Sequence, residues 1–284
     1  MSSPPNLTTA RSQRVPSIGR AVKILNLLAA EPGSVGLASL SKRLQFPRSS
    51  TLALCNSLVE ARLVVRDAAG SYRLGPHILA LSRGYLAQTD MLNEFQRAYT
   101  DLKVLPKHNL VLGVLDATDV VYVGRRLGLT PVGVPYETGM RLPVNCTASG
   151  KALINEFGED EIRDLFNDEY SDGLPALTPQ SITDIEALIE DLAQASEQGY
   201  TVDDDETALG MLCVGAAVRD GSTRIVGAVA ASMVKTEIKT VNLPKYGTEI
   251  IRLANRISVG LGYPGEQAAA RSTEPAARGK AKDS

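Results

Sequence analysis

Charge is distributed unevenly along this chain, and the division predicts two separate domains. Residues 1–85 contain eleven lysines and arginines but only three acidic residues, which is a net charge of +8. The whole chain of 284 residues contains 30 basic and 32 acidic residues, so residues 86–284 carry a net charge of −10. A chain of this length can form two domains, each with its own core. A head this basic is suited to a polyanion, most often nucleic acid.

Composition argues against several classes of protein. The hydrophobic fraction of 44% and the charged fraction of 22% are typical of a soluble globular protein. No apolar run approaches the ~18 residues that cross a bilayer, so we expect no membrane association. Cys55, Cys146 and Cys213 are too widely spaced for a metal ribbon or a disulfide framework. We therefore expect a cytoplasmic protein with reduced thiols, without a metal or other cofactor.

Both ends of the chain are predicted to be disordered. Residues 1–15 are polar and do not resemble a secretory signal. Residues 264–284 are rich in alanine, glycine and charge. Neither segment contains enough apolar surface to join a core.

Helical spacing and turn residues in residues 16–76 predict a winged helix-turn-helix DNA-binding domain. Ser17 is a suitable cap for a helix over residues 18–30, in which the apolar face contains Ile18, Val22, Leu25 and Leu28. A second short helix fits Leu37–Leu44, and a third begins at Ser49 or Ser50. Residues 63–65 and 71–74 are predicted to form two strands joined by a tight turn. Two short helices joined by a brief turn and followed by a hairpin are typical of this fold.

The polar residues of this head are candidate DNA contacts. In a helix-turn-helix the second helix of the motif enters the major groove, where arginine pairs with a guanine edge and asparagine with an adenine edge. Residues on the preceding helix are better placed for phosphates, and arginines beside the hairpin suit the backbone or the minor groove. On the second helix of the motif the candidates are Arg48, Ser49, Ser50, Thr51 and Asn56. On the preceding helix they are Ser41, Lys42 and Arg43, and beside the hairpin they are Arg66 and Arg73.

A connector and a larger domain follow the head. Apolar residues recur at roughly helical spacing between Pro76 and Leu105, so residues 77–105 are predicted to form one long linker helix. A helix of this length that is apolar on one side often packs against a partner chain. Residues 106–263 alternate strand-like and helix-like segments, with hairpins over 109–125 and 215–234. They are predicted to form an α+β sheet domain.

Three stretches together resemble the IclR (isocitrate lyase regulator) family of transcriptional regulators. The first covers residues 17–86 and includes Pro47-Arg48-Ser49-Ser50 at the start of the third helix. The second covers residues 139–153. The third is a spaced pattern of Gly199, Asp203, Glu206, Cys213 and Asp220.

The chain departs from the family pattern in three places. Ala53 stands in the third helix where the family usually has an arginine. Ala61-Arg62 stands before the first strand of the hairpin, where the family usually has a glycine. Arg219 replaces an aromatic residue or a histidine. The first departure removes one expected DNA contact, so the operator sequence of a relative cannot be assumed for this chain.

The resemblance implies a mixed α/β architecture of two domains. The N-terminal winged helix-turn-helix would be joined by the linker helix to a C-terminal GAF-like α+β effector domain. The resemblance also implies that the linker helix helps to form a homodimer, with a tetramer as an open alternative. The two heads of a dimer would read the half-sites of a palindromic operator in double-stranded DNA. By matching position, the resemblance implies that Asp203, Cys213 and Ser232 contact a small effector.

The residue chemistry around these positions agrees with a small organic acid as effector. Gly150 lies at the start of a predicted helix, where free backbone amides favour an anion. Met140, Leu142 and Met211 can form the apolar wall of a pocket. Ala230 stands where the family has a second serine, which favours a ligand with fewer polar groups, such as an aromatic acid.

The sequence thus predicts a DNA-binding regulator controlled by an organic acid of a catabolic pathway. One alternative is a redox or metal sensor that uses Cys146 and Cys213. The other is an enzyme, which is disfavoured because His77 and His108 belong to no recognisable catalytic or metal motif. Titration of free thiols before and after peroxide separates the first alternative from a metabolite sensor.

Overall fold

The computed structural model contains two compact units, Met1–Gln88 and Thr89–Ser284. It describes residues 15–87, 90–98, 105–128, 136–166, 170, 173–238 and 242–265. Disorder was predicted for residues 1–15 and 264–284, and of these, residues 1–14 and 266–284 lie outside the described residues.

The first unit has the predicted winged helix-turn-helix fold. Its core contains Ile24, Leu40, Cys55, Val64 and Tyr72, all of which are buried. The two strands pair antiparallel to form the wing. In chain order its elements are α1 (Pro16–Ala29), α2 (Leu37–Leu44), α3 (Arg48–Glu60), β1 (Val64–Arg66), β2 (Tyr72–Leu74) and α4 (His77–Ala87).

The first helix differs from its prediction in its start and in its buried face. It begins at Pro16, and no side chain caps it, so Ser17 is not the cap. Proline suits this first position because it has no amide hydrogen to leave unpaired. The predicted inward residues Ile18 and Val22 are 64% and 46% exposed, whereas Ile24 is fully buried. The helix has apolar residues on two faces, and only one face packs on α2 and α3.

The turn between α3 and the wing has a left-handed residue at Arg62, with φ of +59°. The Leu63 amide donates to the Leu58 carbonyl and the Arg62 amide donates to the Val59 carbonyl. This pattern is a Schellman motif, which usually has glycine at the left-handed position. The glycine expected from the family pattern would therefore occupy the position of Arg62.

The linker is not one continuous helix in the part of the chain that the structure describes. Helix α4 ends at Ala87, Asp90 lies in a turn, and α5 (Met91–Ala98) follows. Residues 88, 89 and 99–104 lie outside the described residues. Asp90 suits this interruption, because aspartate is a poor helix former that favours helix starts.

The second unit is a six-stranded antiparallel sheet in the order β5-β4-β3-β8-β7-β6. Helix α6 packs on one face of β7, and α9 packs on the other. Its strands are β3 (Asn109–Asp116), β4 (Asp119–Arg126), β5 (Arg141–Pro143), β6 (Thr201–Asp204), β7 (Met211–Arg219) and β8 (Ile225–Val234). Beside α5, its helices are α6 (Ala148–Ile154), α7 (Glu159–Leu165), α8 (Ile185–Gln198) and α9 (Leu243–Gly260).

Candidate DNA-contacting surface and effector cavity

Helix α3 exposes most of its predicted DNA contacts but not all of them. Arg48, Ser49 and Asn56 are exposed, and Ser50 is half-buried. Thr51 is fully buried, and its Oγ1 donates to the Pro47 carbonyl at 3.0 Å. Thr51 therefore packs in the core, and its prediction as a DNA contact is wrong. Thr51 follows Ser50 in sequence, but successive residues of an α-helix are rotated by about 100°, so Thr51 lies on the inward side of α3.

The predicted phosphate contacts on α2 have different environments. Lys42 is exposed. Arg43 is also exposed, and its Nη1 lies 2.7 Å from Glu31 Oε1, so a phosphate must compete with this carboxylate. Ser41 Oγ donates to the Phe46 carbonyl at 2.6 Å and closes the turn between α2 and α3. Ser41 thus holds the two helices of the motif in place.

The wing presents Arg66 and Arg73, which are both exposed. The Arg66 guanidinium lies over the Tyr72 ring, 5.6 Å from its centroid. Asp67 shapes the wing turn, because its Oδ1 accepts the Ser71 amide hydrogen at 2.9 Å. That hydrogen bond lowers the pKa of the Asp67 carboxyl. The wing is therefore an ordered turn flanked by two cations.

Two further residues on the exposed face of α3 were not predicted as contacts. Leu52 is 37% exposed, and Ala53 is exposed beside it. They lie between Ser49 and Asn56, one helical turn from each. Helical spacing alone could have identified them, but neither has a hydrogen-bonding side chain and a search for polar groups omits them.

The second unit encloses a small cavity between its sheet and α6. The cavity volume is about 10 Å³, which is room for about one water molecule. The predicted effector contacts Asp203, Cys213 and Ser232 all border it. They are adjacent in register on β6, β7 and β8, since Asp203 pairs with Cys213 and Cys213 pairs with Ser232. The complete lining is Val111, Tyr122, Tyr136, Thr147, Ala148, Ser149, Asp203, Cys213, Ala230 and Ser232.

Two tyrosines fill the space over this sheet surface. The rings of Tyr122 and Tyr136 meet edge to face with centroids 5.0 Å apart. Tyr122 Oη lies 3.2 Å from Ser149 Oγ, and Tyr136 Oη lies 3.9 Å from Cys213 Sγ. Burial raises the pKa of both phenols, so both are protonated at neutral pH and can donate hydrogen bonds. Sequence analysis missed both residues, because nothing in their sequence context indicates that their rings face the sheet.

Asp203 lines the cavity with oxygens that are already engaged. Oδ1 accepts the amide hydrogens of Glu206 and Thr207 at 2.8 and 3.0 Å, and Oδ2 accepts the Thr207 hydroxyl at 2.6 Å. Burial raises the pKa of the Asp203 carboxyl. Through these hydrogen bonds, Asp203 holds the loop that follows β6 in its conformation.

Ser232 is the polar group that the cavity leaves unsatisfied. It is 3% exposed, and its Oγ makes no hydrogen bond of standard geometry with the described residues, although it lies close enough to the Cys213 thiol and the Tyr136 phenol to lower the pKa of both groups against the larger effect of burial. A buried hydroxyl without a partner costs roughly 1–3 kcal/mol. Burial also raises the pKa of the Cys213 thiol, which is therefore neutral. Ser232 is thus the strongest candidate for a ligand contact.

The other predicted effector contacts do not line the cavity. Met140 and Leu142 are half-buried and pack around its core cluster. Met211 is buried at the start of β7 but lies outside the lining. The Gly150 amide donates to Thr147 Oγ1 at 2.9 Å, so it is not free for an anion, and that prediction is wrong.

A buried ion pair lies behind the cavity. Lys151 is fully buried, with Nζ at 2.9 Å from Glu206 Oε1 and 3.0 Å from Asp191 Oδ2. Burial disfavours the Lys151 ammonium, but the two carboxylates outweigh this effect and its pKa is raised. Burial raises the pKa of Glu206 to about 7. The loop that Asp203 organises therefore also connects α6 to α8.

The cysteines do not have the environment of a redox sensor. Cys146 Sγ donates to the Pro175 carbonyl at 3.2 Å, whereas Cys213 borders the cavity. Burial raises the pKa of both thiols, which lowers the thiolate fraction that reacts with oxidants. The described residues contain no cluster of three or more His, Cys, Asp or Glu side chains that could hold a metal ion. Among the described helices, none is long and apolar enough to span a bilayer.

Two family models together match most of the chain. The model of the IclR helix-turn-helix domain matches residues 17–68, and the model of the bacterial transcriptional regulator IclR C-terminal domain matches residues 83–259. The first match covers α1 from its second residue onward, α2, α3 and β1. The second covers the sheet and the cavity.

Similar proteins cover nearly the same length. The chain is 35% identical to the Agobacterium tumefaciens repressor BlcR, over 89% of this chain and 100% of that one, with a TM-score of 0.58. It is 27% identical to the transcriptional regulator XynR of Escherichia coli over 252 residues, which are 88% of this chain and 98% of XynR. The described fold also matches the structure of an IclR homologue from Microbacterium hydrocarbonoxydans in complex with 4-hydroxybenzoate. The two chains are 19% identical, and the match has a TM-score of 0.69 over 86% of this chain and 99% of that one. BlcR is named as a repressor and XynR as a transcriptional regulator.

Proposed function

The chain belongs to the IclR family of bacterial transcriptional regulators, and we propose that it binds a palindromic DNA operator as a dimer under the control of a small organic acid. The exposed face of α3 is the observation that carries the DNA-binding part. Arg48, Ser49 and Asn56 are exposed there, and the wing places Arg66 and Arg73 outward. Groups that can hydrogen-bond to base edges therefore lie between cations that suit phosphates.

The DNA-binding part is tested by a gel-shift titration of an operator selected from random duplexes. Arg48→Ala should weaken specific binding by ~1–3 kcal/mol if Arg48 contacts a base. Arg224→Ala is the control, because Arg224 is an exposed arginine in the turn between β7 and β8. Equal affinity of the Arg48 variant and the wild type would exclude that role. Failure of the wild-type protein to retain any duplex in a salt-dependent manner would refute DNA binding.

The effector part rests on the Ser232 hydroxyl, which borders the cavity and makes no hydrogen bond of standard geometry with the described residues. Ser149, Tyr122 and Tyr136 add hydroxyl donors to the same cavity, and Ala230 and Val111 add apolar surface. Hydroxyl donors can hold a carboxylate without a cation. The 4-hydroxybenzoate complex of the structural relative supports an aromatic acid as the ligand class.

The cavity must open before such a ligand can bind. Benzoate is much larger than the present volume of about 10 Å³. The Tyr136 ring lies over the cavity, so we propose that the acid binds a state in which this ring has moved. A ligand that binds only one state shifts the population toward it. This displacement is the step that would alter DNA binding.

The effector part is tested by thermal shift with a panel of benzoates and small keto acids. We expect a benzoate to stabilise the full-length protein and to change its operator affinity. Ser232→Ala should weaken that ligand about tenfold or more, since a hydrogen bond to a charged group contributes ~1.5–3 kcal/mol. Ser196→Ala is the control, because Ser196 is exposed on α8. Stabilisation by keto acids alone would refute an aromatic ligand, and no response to either class would refute an organic acid.

The dimer part rests on apolar side chains that the first unit leaves exposed. Ile18 and Val22 on α1 are exposed, as are Leu79, Leu81 and Tyr85 on α4. Apolar residues grouped on two helices indicate a surface that a partner covers. A second copy of the chain is the partner that a palindromic operator requires. Association of two dimers into a tetramer is an alternative assembly.

A further inference from the structure

The recognition surface of α3 has an apolar centre. Leu52 is 37% exposed and Ala53 is exposed, whereas Thr51, Cys55 and Leu58 are the buried residues of the same helix. The two exposed apolar residues are therefore not the edge of the core.

Polar groups surround this centre on the same helix face. Ser49 precedes it by one turn and Asn56 follows it by one turn, and both are exposed. The seven helical steps from Ser49 to Asn56 span about 10.5 Å at a rise of 1.5 Å per residue. That length corresponds to about three base pairs at 3.4 Å each. Leu52 and Ala53 would thus lie over the middle of a triplet.

Only one base presents an apolar group in the major groove. Thymine has a C5-methyl there, whereas the edges of guanine, cytosine and adenine present hydrogen-bond donors and acceptors. Leucine and alanine cannot satisfy those donors and acceptors, which would lose their water without replacement. An apolar pair in the middle of the triplet is therefore complementary to thymine and unfavourable opposite guanine or cytosine.

We propose that Leu52 and Ala53 recognise thymine methyl groups, so that each operator half-site contains at least one thymine whose methyl supplies binding energy. The proposal rests on the proposed DNA binding by α3. Asn56, one turn further along, is placed to pair with an adenine in the same triplet. The centre of the half-site would therefore be rich in A·T pairs. Arg48 flanks this centre on α3 and favours a guanine.

The test is methyl deletion in the DNA. Operators are selected from a random duplex library with the full-length protein, and each thymine of the strongest site is replaced singly by deoxyuridine. Deoxyuridine lacks the methyl group but keeps the same base pairing. We expect one or two positions in each half-site at which the wild-type affinity falls about fourfold, which corresponds to the burial of one methyl group.

Matched variants assign the effect to the side chain. In Leu52→Ala the deoxyuridine effect should disappear at the position that Leu52 contacts. In Leu209→Ala it should persist, because Leu209 is an equally apolar exposed residue of the second unit. Both leucines are exposed, so the thermal midpoints of the variants should match that of the wild type.

The outcomes separate this proposal from the function on which it rests. Specific binding that is unaffected by every deoxyuridine substitution would overturn methyl recognition and leave DNA binding intact. A deoxyuridine effect that remains unchanged in Leu52→Ala and in Ala53→Gly would also overturn it. Failure to select any operator would instead refute the proposed DNA binding.

Discussion

At the scale of single residues, Arg62 has a backbone conformation that suits glycine better than arginine. Its φ of +59° places the Cβ against the following carbonyl group. Arg62→Gly should therefore raise the free energy of unfolding by about 1 kcal/mol, even though glycine adds freedom to the unfolded chain. Urea denaturation of the full-length protein measures this change.

Ala61→Gly is the matched control for this substitution. Ala61 has ordinary helical geometry with φ of −71°, so glycine offers it no relief and should lower stability by roughly 0.5–1 kcal/mol. Equal effects at both positions would show that the left-handed turn is not strained.

Glu206 should make stability depend on pH. Its pKa is about 7 in the folded protein and near the ordinary value of 4.5 in the unfolded chain. Between these values the folded state binds more protons, so the free energy of unfolding falls as the pH rises from 4.5 to about 7 and is level above it. Thermal midpoints measured across this range should show the fall in the wild type and a smaller one in Glu206→Gln.

Glu190→Gln provides the comparison for that experiment. Glu190 is exposed on α8, so Glu190→Gln makes the same chemical exchange outside the buried ion pair. A Glu206→Gln variant with the unaltered wild-type profile would mean that Glu206 is ionised throughout the range.

At the scale of elements, close packing of α6 forms the cavity. A methyl group at Gly150 would overlap the Val144 backbone, which cannot yield as a flexible side chain could. Gly150→Ala should therefore destabilise the second unit by roughly 1–3 kcal/mol and weaken ligand binding, because α6 must shift relative to the turn at Val144 that leads into it. Denaturation and ligand titration measure the two effects.

Gly84→Ala serves as the reference for an alanine exchange within a helix. Gly84 lies in α4 with no atom within 4 Å of an added methyl group, so alanine should stabilise by about 0.5–1 kcal/mol. If Gly150→Ala also stabilised the protein, the contact between α6 and Val144 could not be tight.

At the scale of the whole molecule, dimerisation is expected to depend on the exposed face of α1. The double variant Ile18→Glu, Val22→Glu places two carboxylates where a partner would have to exclude water. It should sediment as a monomer and bind the palindromic operator more weakly, with an unchanged circular dichroism spectrum. Leu209→Glu, in the second unit, should sediment as the wild type does.

Two results would contradict the proposed dimer surface. One is a wild-type protein that sediments as a monomer at the concentrations at which it binds DNA. The other is a double variant with the wild-type sedimentation coefficient, which would place the interface elsewhere.

Much of this architecture could be predicted from local patterns, and the errors share one cause. Spacing predicted α2 within its observed bounds, and the turn residues predicted the wing and both hairpins of the larger sheet. Spacing could not determine which side of a helix becomes buried. Ile18 and Val22 were expected inside and lie outside, and Thr51 was expected on the DNA surface and lies in the core.

The sequence by itself determined the two-part plan of the molecule, the basic head and the family, because charge, helix spacing and motif residues depend on neighbours along the chain. Only the tertiary structure placed Asp203, Cys213 and Ser232 side by side, since strand register joins residues that are far apart in sequence. It also showed that Asp203 already accepts three hydrogen bonds, whereas Ser232 makes none of standard geometry with the described residues. Whether a polar group is free to bind a ligand depends on which neighbours reach it in space, and no local pattern contains that information.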